Sequence, residues 1–317
     1  TGADASAGYI PDAVLTAPGG VQDNAVTFNS DGNEGDVGLA GGGLSLQSVY
    51  SRNALVLGNS ITIDSGNSGE ENIVAAGGGL SAQGTSNPNI GSGPGGSYFS
   101  GGVVADNDII VTSGAGVSAA GGGIFASSEV GLRIDRAELS GNKIQIVGTS
   151  ARGAGLALMS SPGPSLGGAK YNSVQNSTIA NNQITAQSSS ATVAGAGIAL
   201  DSDSYSEFYL DELTIVGNTG SRNGTPTGGQ LHAVLGGNDV TFSLEKSLIS
   251  GNTAQGASDF IYEEGTNTID VAYTAVFWGA AAPAIDGFLD PSVADPAFLG
   301  SLANNGGTYA GYSPFNT

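Results

Sequence analysis

Few residues in this chain could do chemistry. It has eight Lys and Arg and one histidine against 28 Asp and Glu in 317 residues. Arg133 and Asp135 stand two apart in Arg133-Ile134-Asp135-Arg136, so an extended backbone puts both on one face. A base beside acidic cation ligands on an outer wall is what eliminative cleavage of an acidic polysaccharide requires, and this pair comes nearest to it. The simpler expectation is an exposed ion pair on a strand, worth under about 1 kcal/mol. His232 sits between Leu231 and Ala233, at the outward position of a strand. A general base there would need an orienting carboxylate, and the sequence identifies none.

Oxygen ligands alternate in Asp201-Ser202-Asp203-Ser204-Tyr205-Ser206-Glu207 and again in Asp31-Gly32-Asn33-Glu34-Gly35-Asp36. Asp201, Asp203 and Glu207 could wrap a calcium ion, which is the only cofactor suggested. Neither stretch completes an EF-hand loop with its bidentate glutamate, so solvated acidic turns are the plainer reading. Tyr205, Phe208 and Tyr209 cluster in one segment. Their rings could stack on a sugar or cover an edge of the fold.

The elements that must position these groups come from a pattern returning six times. Its first part is a glycine pair or triplet before two apolar residues spaced by two: Leu44 and Leu46, Leu80 and Ala82, Ile124 and Ala126, Leu156 and Leu158, Ile198 and Leu200, Leu231 and Ala233. The second part ends in asparagine, at Asn59, Asn107, Asn142, Asn182, Asn218 and Asn252, with an apolar residue three before each. The third follows at once, as in Ile61 and Ile63 or Ile144 and Ile146, and fades after Asn218 and Asn252. Asparagine to asparagine, the steps are 48, 35, 40, 36 and 34 residues. Constant strand pieces with variable spacers are the mark of a solenoid with loops of unequal length.

The expected architecture is therefore all-β: a single-stranded right-handed parallel β-helix with three short strands per coil, long variable loops and capped ends. Residues 1–40 would form the N-terminal cap and first strands, 41–261 the coils, and 262–317 the last coil and C-terminal cap, in one continuous domain. The recurrent asparagines should stack as a ladder inside a turn. Between the paired inward positions of the glycine strands stand Ser45, Ser81, Phe125, Ala157, Ala199 and His232. That column should form a flat, weakly polar wall that invites another surface, either a long loop of the same chain or a neighbouring subunit, and the coil ends are open to self-association too.

Glycine makes up 54 residues and charged types only 11%, yet apolar residues hold strand register, which a disordered chain would not do. The net charge of −20 disfavours nucleic acid and anionic membranes, both of which need a basic footprint. With no cysteine there is no disulfide framework, and no apolar run is long enough for a membrane span. The chain opens Thr1-Gly2-Ala3-Asp4, without a signal peptide's basic start and apolar core, so a mature, exported form is expected.

The glycine-strand and asparagine elements resemble those of right-handed β-helix surface proteins, including polymorphic outer-membrane proteins. Asp295-Pro296-Ala297-Phe298-Leu299-Gly300 through Asn304-Asn305-Gly306-Gly307-Thr308 is similar to the DPLLGPLADNGGPT stretch of choice-of-anchor Q proteins. Ser313-Pro314 matches the start of the segment that follows there, and Phe315-Asn316-Thr317 departs from it. The resemblance covers roughly Gly41 to Pro314. It implies fold and bacterial export and carries over no catalytic residue. The signatures of polygalacturonase-like hydrolases do not occur. The expected role is an extracellular, non-enzymatic structural or surface protein, adhesin-like or self-assembling into a filament or sheet, with a polysaccharide or surface ligand as partner. The alternative is a polysaccharide lyase or glycoside hydrolase on the same scaffold.

Overall fold

The computed structural model describes residues 14–15, 20–29, 37–46, 50–64, 72–84, 97–112, 116–128, 132–160, 170–202, 206–227, 229–236, 239–252, 261–263, 267–272 and 275–278. These form a parallel β-solenoid. One full coil shows the plan: Leu132–Asp135, Glu138–Ser140, Lys143–Ile146, Ser150–Arg152 and Leu156–Ser160. Each strand pairs in parallel with its equivalents one coil away, giving five sheets, here numbered in the order the chain meets them. The second, third and fifth sheets are the three strands read from the sequence. The first and fourth are additional, so a full coil has five strands rather than three.

The first sheet has eight strands, from Val14–Leu15 to Thr268–Ala272. At about 4.8 Å per step this is a stack roughly 34 Å tall. Inward residues repeat in columns, such as Val56, Val104, Leu139, Ile179, Ile215 and Ile249 in the second sheet. All six are completely buried.

The interior is two cores, not one. Side chains of the first, second and fifth sheets form one apolar cluster and those of the third and fourth form another. What divides them is a line of asparagine amides set against a line of glycine backbone. Asn107 donates from its backbone N and its Nδ2 to Asn142 Oδ1, at 3.1 and 2.9 Å. Asn142 does the same to Asn182. The second Nδ2 proton of each returns to a carbonyl of the preceding coil, Val56 for Asn107 and Val104 for Asn142. Every amide hydrogen and both oxygen lone pairs are thereby used, as buried polar groups require.

Against this ladder lie Gly43, Gly79, Gly123, Gly155 and Gly197. A Cβ on any of them would stand 2.7–2.9 Å from an atom of the asparagine carboxamide and 2.4–2.8 Å from the carbonyl oxygen of the next coil. The glycine motif and the asparagine motif are two sides of one contact. The glycine opening each run, Gly41, Gly77, Gly121, Gly153 or Gly195, has positive φ. There a Cβ would lie 2.0–2.4 Å from the carbonyl oxygen three residues on, so only glycine turns this corner.

The ladder is longer at one end and shorter at the other than its expected six rungs. Asn24 starts it, donating to Asn59 Oδ1. After Asn218 it ends on Gln230, which stands in the glycine column: Asn218 Nδ2 donates to Gln230 Oε1 at 2.7 Å, and Gln230 Nε2 donates to Asn218 O at 3.1 Å. Asn252, read as the sixth rung, lies where strand register slips between Ile249 and Asn252, and its side chain is outside the described residues. The third sheet stops at the same level. Thr219–Arg222 is covered by the antiparallel strand Thr225–Thr227 through a turn at Asn223 and Gly224. That is the only antiparallel pair among the described residues.

The corner between second and third sheets has its own alternation. Asp23, Gly58, Asp106, Gly141, Asn181 and Gly217 all have positive φ. Asp23 Oδ1 would be 2.5 Å from a Cβ on Gly58, Asp106 Oδ1 2.4 Å from one on Gly141, and Asn181 Oδ1 2.6 Å from one on Gly217. Each side chain therefore folds over a neighbour that has none.

Asn142→Ala should be far more damaging than its conservative size suggests. It leaves the backbone and side-chain donors of Asn107 unpaired in a dry interior, at about 3–5 kcal/mol in all. Urea unfolding should show this loss, whereas Gln145→Ala, exposed on the same coil, should change stability by less than about 0.5 kcal/mol.

Candidate functional site

The outer face of the first sheet gathers most of the chemistry-bearing groups. Strand alternation points Phe99, Ile134, Val174, Phe208, Leu210, Phe242 and Leu244 into the core and leaves Tyr98, Arg133, Tyr171, Glu207 and Tyr209 outside. Arg133, Ser173 and Tyr209 are in register on successive coils. The small Ser173 leaves a gap between its large neighbours, and Tyr171, two residues earlier, fills it. The Arg133 guanidinium carbon lies 4.7 Å from the centre of the Tyr171 ring. On the opposite side the Tyr209 ring is stacked at 4.9 Å with a 28° tilt. These spacings match the step between strands, so the planar groups form a pile running along the solenoid.

This pile decides what the face can do. Both faces of Tyr171 are occupied, by Arg133 and Tyr209, so the ring has no face left for a sugar. Phe208, one of the three rings that could have stacked on a sugar or covered an edge of the fold, is buried in the core, and Tyr205 lies outside the described residues. Tyr209 donates its hydroxyl to Glu207 Oε2 at 3.2 Å. Burial and the adjacent Glu207 carboxylate raise its pKa.

Arg133 and Asp135 do not form the expected ion pair. Asp135 accepts from Arg136 Nε at 2.9 Å and from Asn176 Nδ2 at 3.1 Å. The reason is geometric: Arg136 has left-handed backbone at the corner between first and second sheets, which swings it back towards Asp135, while Arg133 is held over Tyr171.

The column from Ser45 to His232, expected as a flat wall that another surface would cover, is the floor of a crease on the outer surface. The last residues of the fourth-sheet strands close over it: Ala76 and Ala120 pack with Phe125, Ala157 and Met159 in a small apolar cluster apart from both cores. Ser81, Phe125, Ala157 and Ala199 are buried, and Ser45 and His232 are half-buried. The sharp glycine turn folds one strand end onto the next strand, which period-two reading treats as flat. Across this crease Arg152 forms an ion pair with Asp201.

Of the three calcium-ligand candidates, Asp201 is thus held by an arginine, Glu207 accepts from Tyr209, and Asp203 lies outside the described residues, as does the stretch 31–36. Among the described residues no three His, Asp or Glu side chains are grouped to hold a metal ion, and no helix is long and apolar enough to cross a membrane. Asp108 is a half-buried titratable group that sequence reasoning passed over. Burial raises its carboxyl pKa, the Lys143 cation opposes that, and the Asp106 carboxylate adds to it.

No family model, curated protein or solved structure matches this chain.

The raised phenol gives a sign that can be measured. Among the chain's ten tyrosines, ultraviolet titration should find one that ionises above the ordinary value of about 10. Glu207→Gln should lower it and Tyr209→Phe should remove it. Because the folded value exceeds the unfolded one, this tyrosine's contribution to stability is intact below the ordinary phenol value and is lost as pH rises through the folded value.

Proposed function

We propose that this chain is an extracellular, non-enzymatic surface scaffold, adhesin-like, whose stiff axis displays its outer faces to a partner. The observation that carries this reading is the unbroken asparagine ladder. It commits the internal polar groups to stacking coil on coil, which favours a rigid spacer. Several outer groups that first suggested catalysis or calcium binding support it too, being committed to a neighbour: Arg133 to Tyr171, Asp135 to Arg136 and Asn176, Asp201 to Arg152. Catalysis of lyase type would need a base free to meet substrate. The motif resemblance to choice-of-anchor Q and polymorphic outer-membrane proteins is consistent with export to a bacterial surface.

Self-assembly is the second form of the proposal, favoured by strands of the first and second sheets that run on as far as Trp278. The closing strand Thr225–Thr227 weighs against growth through the third sheet, because a covered edge offers no ladder for a neighbour.

Electron microscopy of the purified protein at neutral pH should show dispersed rods; ordered polymers would move the reading to assembly. Incubation with uronate-containing polysaccharides should produce no rise in absorbance from unsaturated products. A rise that Arg133→Ala abolishes would overturn the non-enzymatic reading.

A further inference from the structure

The two ends of the asparagine ladder are unlike, because its bonds have a direction. Asn59 and Asn107 each donate the backbone N–H and one Nδ2 hydrogen to Oδ1 of the rung in the next coil, and the other Nδ2 hydrogen to a carbonyl of the coil before. Such a line ends in donors on one side and in an acceptor on the other. At the far end the side-chain donors are answered, since Asn218 Nδ2 donates to Ile179 O and to Gln230 Oε1. There the strand Thr225–Thr227 also covers the edge of the third sheet.

The near end is open. Asn24 donates to Asn59 Oδ1, but among the described residues nothing donates to its own Oδ1 and nothing accepts its second Nδ2 hydrogen. Asn24 is exposed, whereas Asn59, its equivalent one coil on, is completely buried. The apolar interior is uncovered at the same level. Val26 and Phe28 pack against the core of the third and fourth sheets yet are only half-buried, while Ile61 and Ile63, in register with them, are buried. Val21 is likewise half-buried above a buried Val56. Ala25–Asn29 is the outermost strand of its sheet and has a neighbour on one side only.

We infer that this end receives one further coil strand from a separate polypeptide, laid parallel on residues 21–29. The open bonds and uncovered side chains define what that strand carries. An asparagine above Asn24 supplies two N–H donors to its Oδ1. The carbonyl three residues before that asparagine accepts from Asn24 Nδ2, as Val21 O accepts from Asn59. Apolar residues three before, two after and four after it cover Val21, Val26 and Phe28. The occupant thus continues the interface that already joins coil to coil, and it adds a strand to an exposed sheet edge. A second copy fits poorly: its far end has the ladder closed by Gln230, and two near ends meeting would set their strands antiparallel. Residues 1–23 of this chain contain no asparagine, so they supply no rung. The inference goes beyond the scaffold reading, which concerns the outer faces, and does not depend on it.

The test titrates the full chain with a fluorescent peptide copying residues 53–64, which places Val56, Asn59, Ile61 and Ile63 as required. It should bind, and Asn59→Ala in the peptide should weaken binding about tenfold through loss of two hydrogen bonds. With Asn24→Ala in the chain the two peptides should bind alike, because the acceptor is gone. Phe28→Asp should abolish binding without altering the ladder, and Thr225→Lys at the far end should leave it unchanged. Circular dichroism should show each variant folded, and sedimentation of the chain alone should give a monomer. Absence of binding, equal binding of the two peptides to the unaltered chain, or a preference that survives Asn24→Ala overturns the inference. So does a dimer that Phe28→Asp dissolves, which would give this end to a second copy. None of these results touches the scaffold reading, which is judged by the imaging of rods and the polysaccharide assay.

Discussion

The contact between asparagine amide and glycine backbone is the constraint on which the other features depend. It draws opposite corners of each coil together until no side chain fits between them, and so splits the interior into two narrow cores. Each core is then thin enough to be filled by one or two aliphatic residues per strand, which explains how a chain with 54 glycines buries so many residues completely. A packed interior tolerates no voids, and here the absence of a side chain is what prevents one. Asparagine meets the polar half of the requirement. Its amide is short, and it both donates and accepts twice, which lets one rung satisfy the next.

Rigidity inside has a counterpart outside. Stacking at a fixed step makes any column of like groups a continuous line, whether of amides within or of planar side chains on the first sheet. The Arg133–Tyr171–Tyr209 pile and the Arg152–Asp201 bridge are held by coil geometry more than by their own attraction, since exposed ion pairs and ring contacts contribute little individually. A surface organised in this way has few groups left to move. That suits recognition by a preformed face better than catalysis, where a base must meet its proton in a changing geometry.

Much of this was legible in the residues, because alternation and spacing are local. The second, third and fifth sheets follow directly from the asparagine and glycine motifs. The first sheet also had a signal: Phe99, Ile134, Val174, Leu210 and Leu244 each stand five residues before the inward residue of the second sheet. The fourth was written just before the glycines, in Ile73 and Ala75 or Val117 and Ala119. Asn24 could have been found from Val21, Val26 and Phe28, which repeat the pattern around it. What the sequence does not display is the angle at a corner. A left-handed residue such as Arg136 sends its side chain to a neighbour that period-two counting does not pair with it, and the glycine turn before the fifth sheet converts a supposed wall into a crease. The role of Gln230 was equally hidden, since nothing in the GGQL run announces that its side chain will occupy the rung of an asparagine.

The corner where Asp23, Gly58, Asp106, Gly141, Asn181 and Gly217 alternate has a bearing on how such a protein can lengthen or shorten. Its true repeat there is two coils, although every sheet repeats in one. Excising a single coil from the middle would set side chain upon side chain or glycine upon glycine at the seam, whereas removing an adjacent pair would leave the alternation whole. Gene duplication and loss in a solenoid of this kind should therefore be tolerated in even steps, so that a unit invisible in the backbone becomes the unit of inheritance.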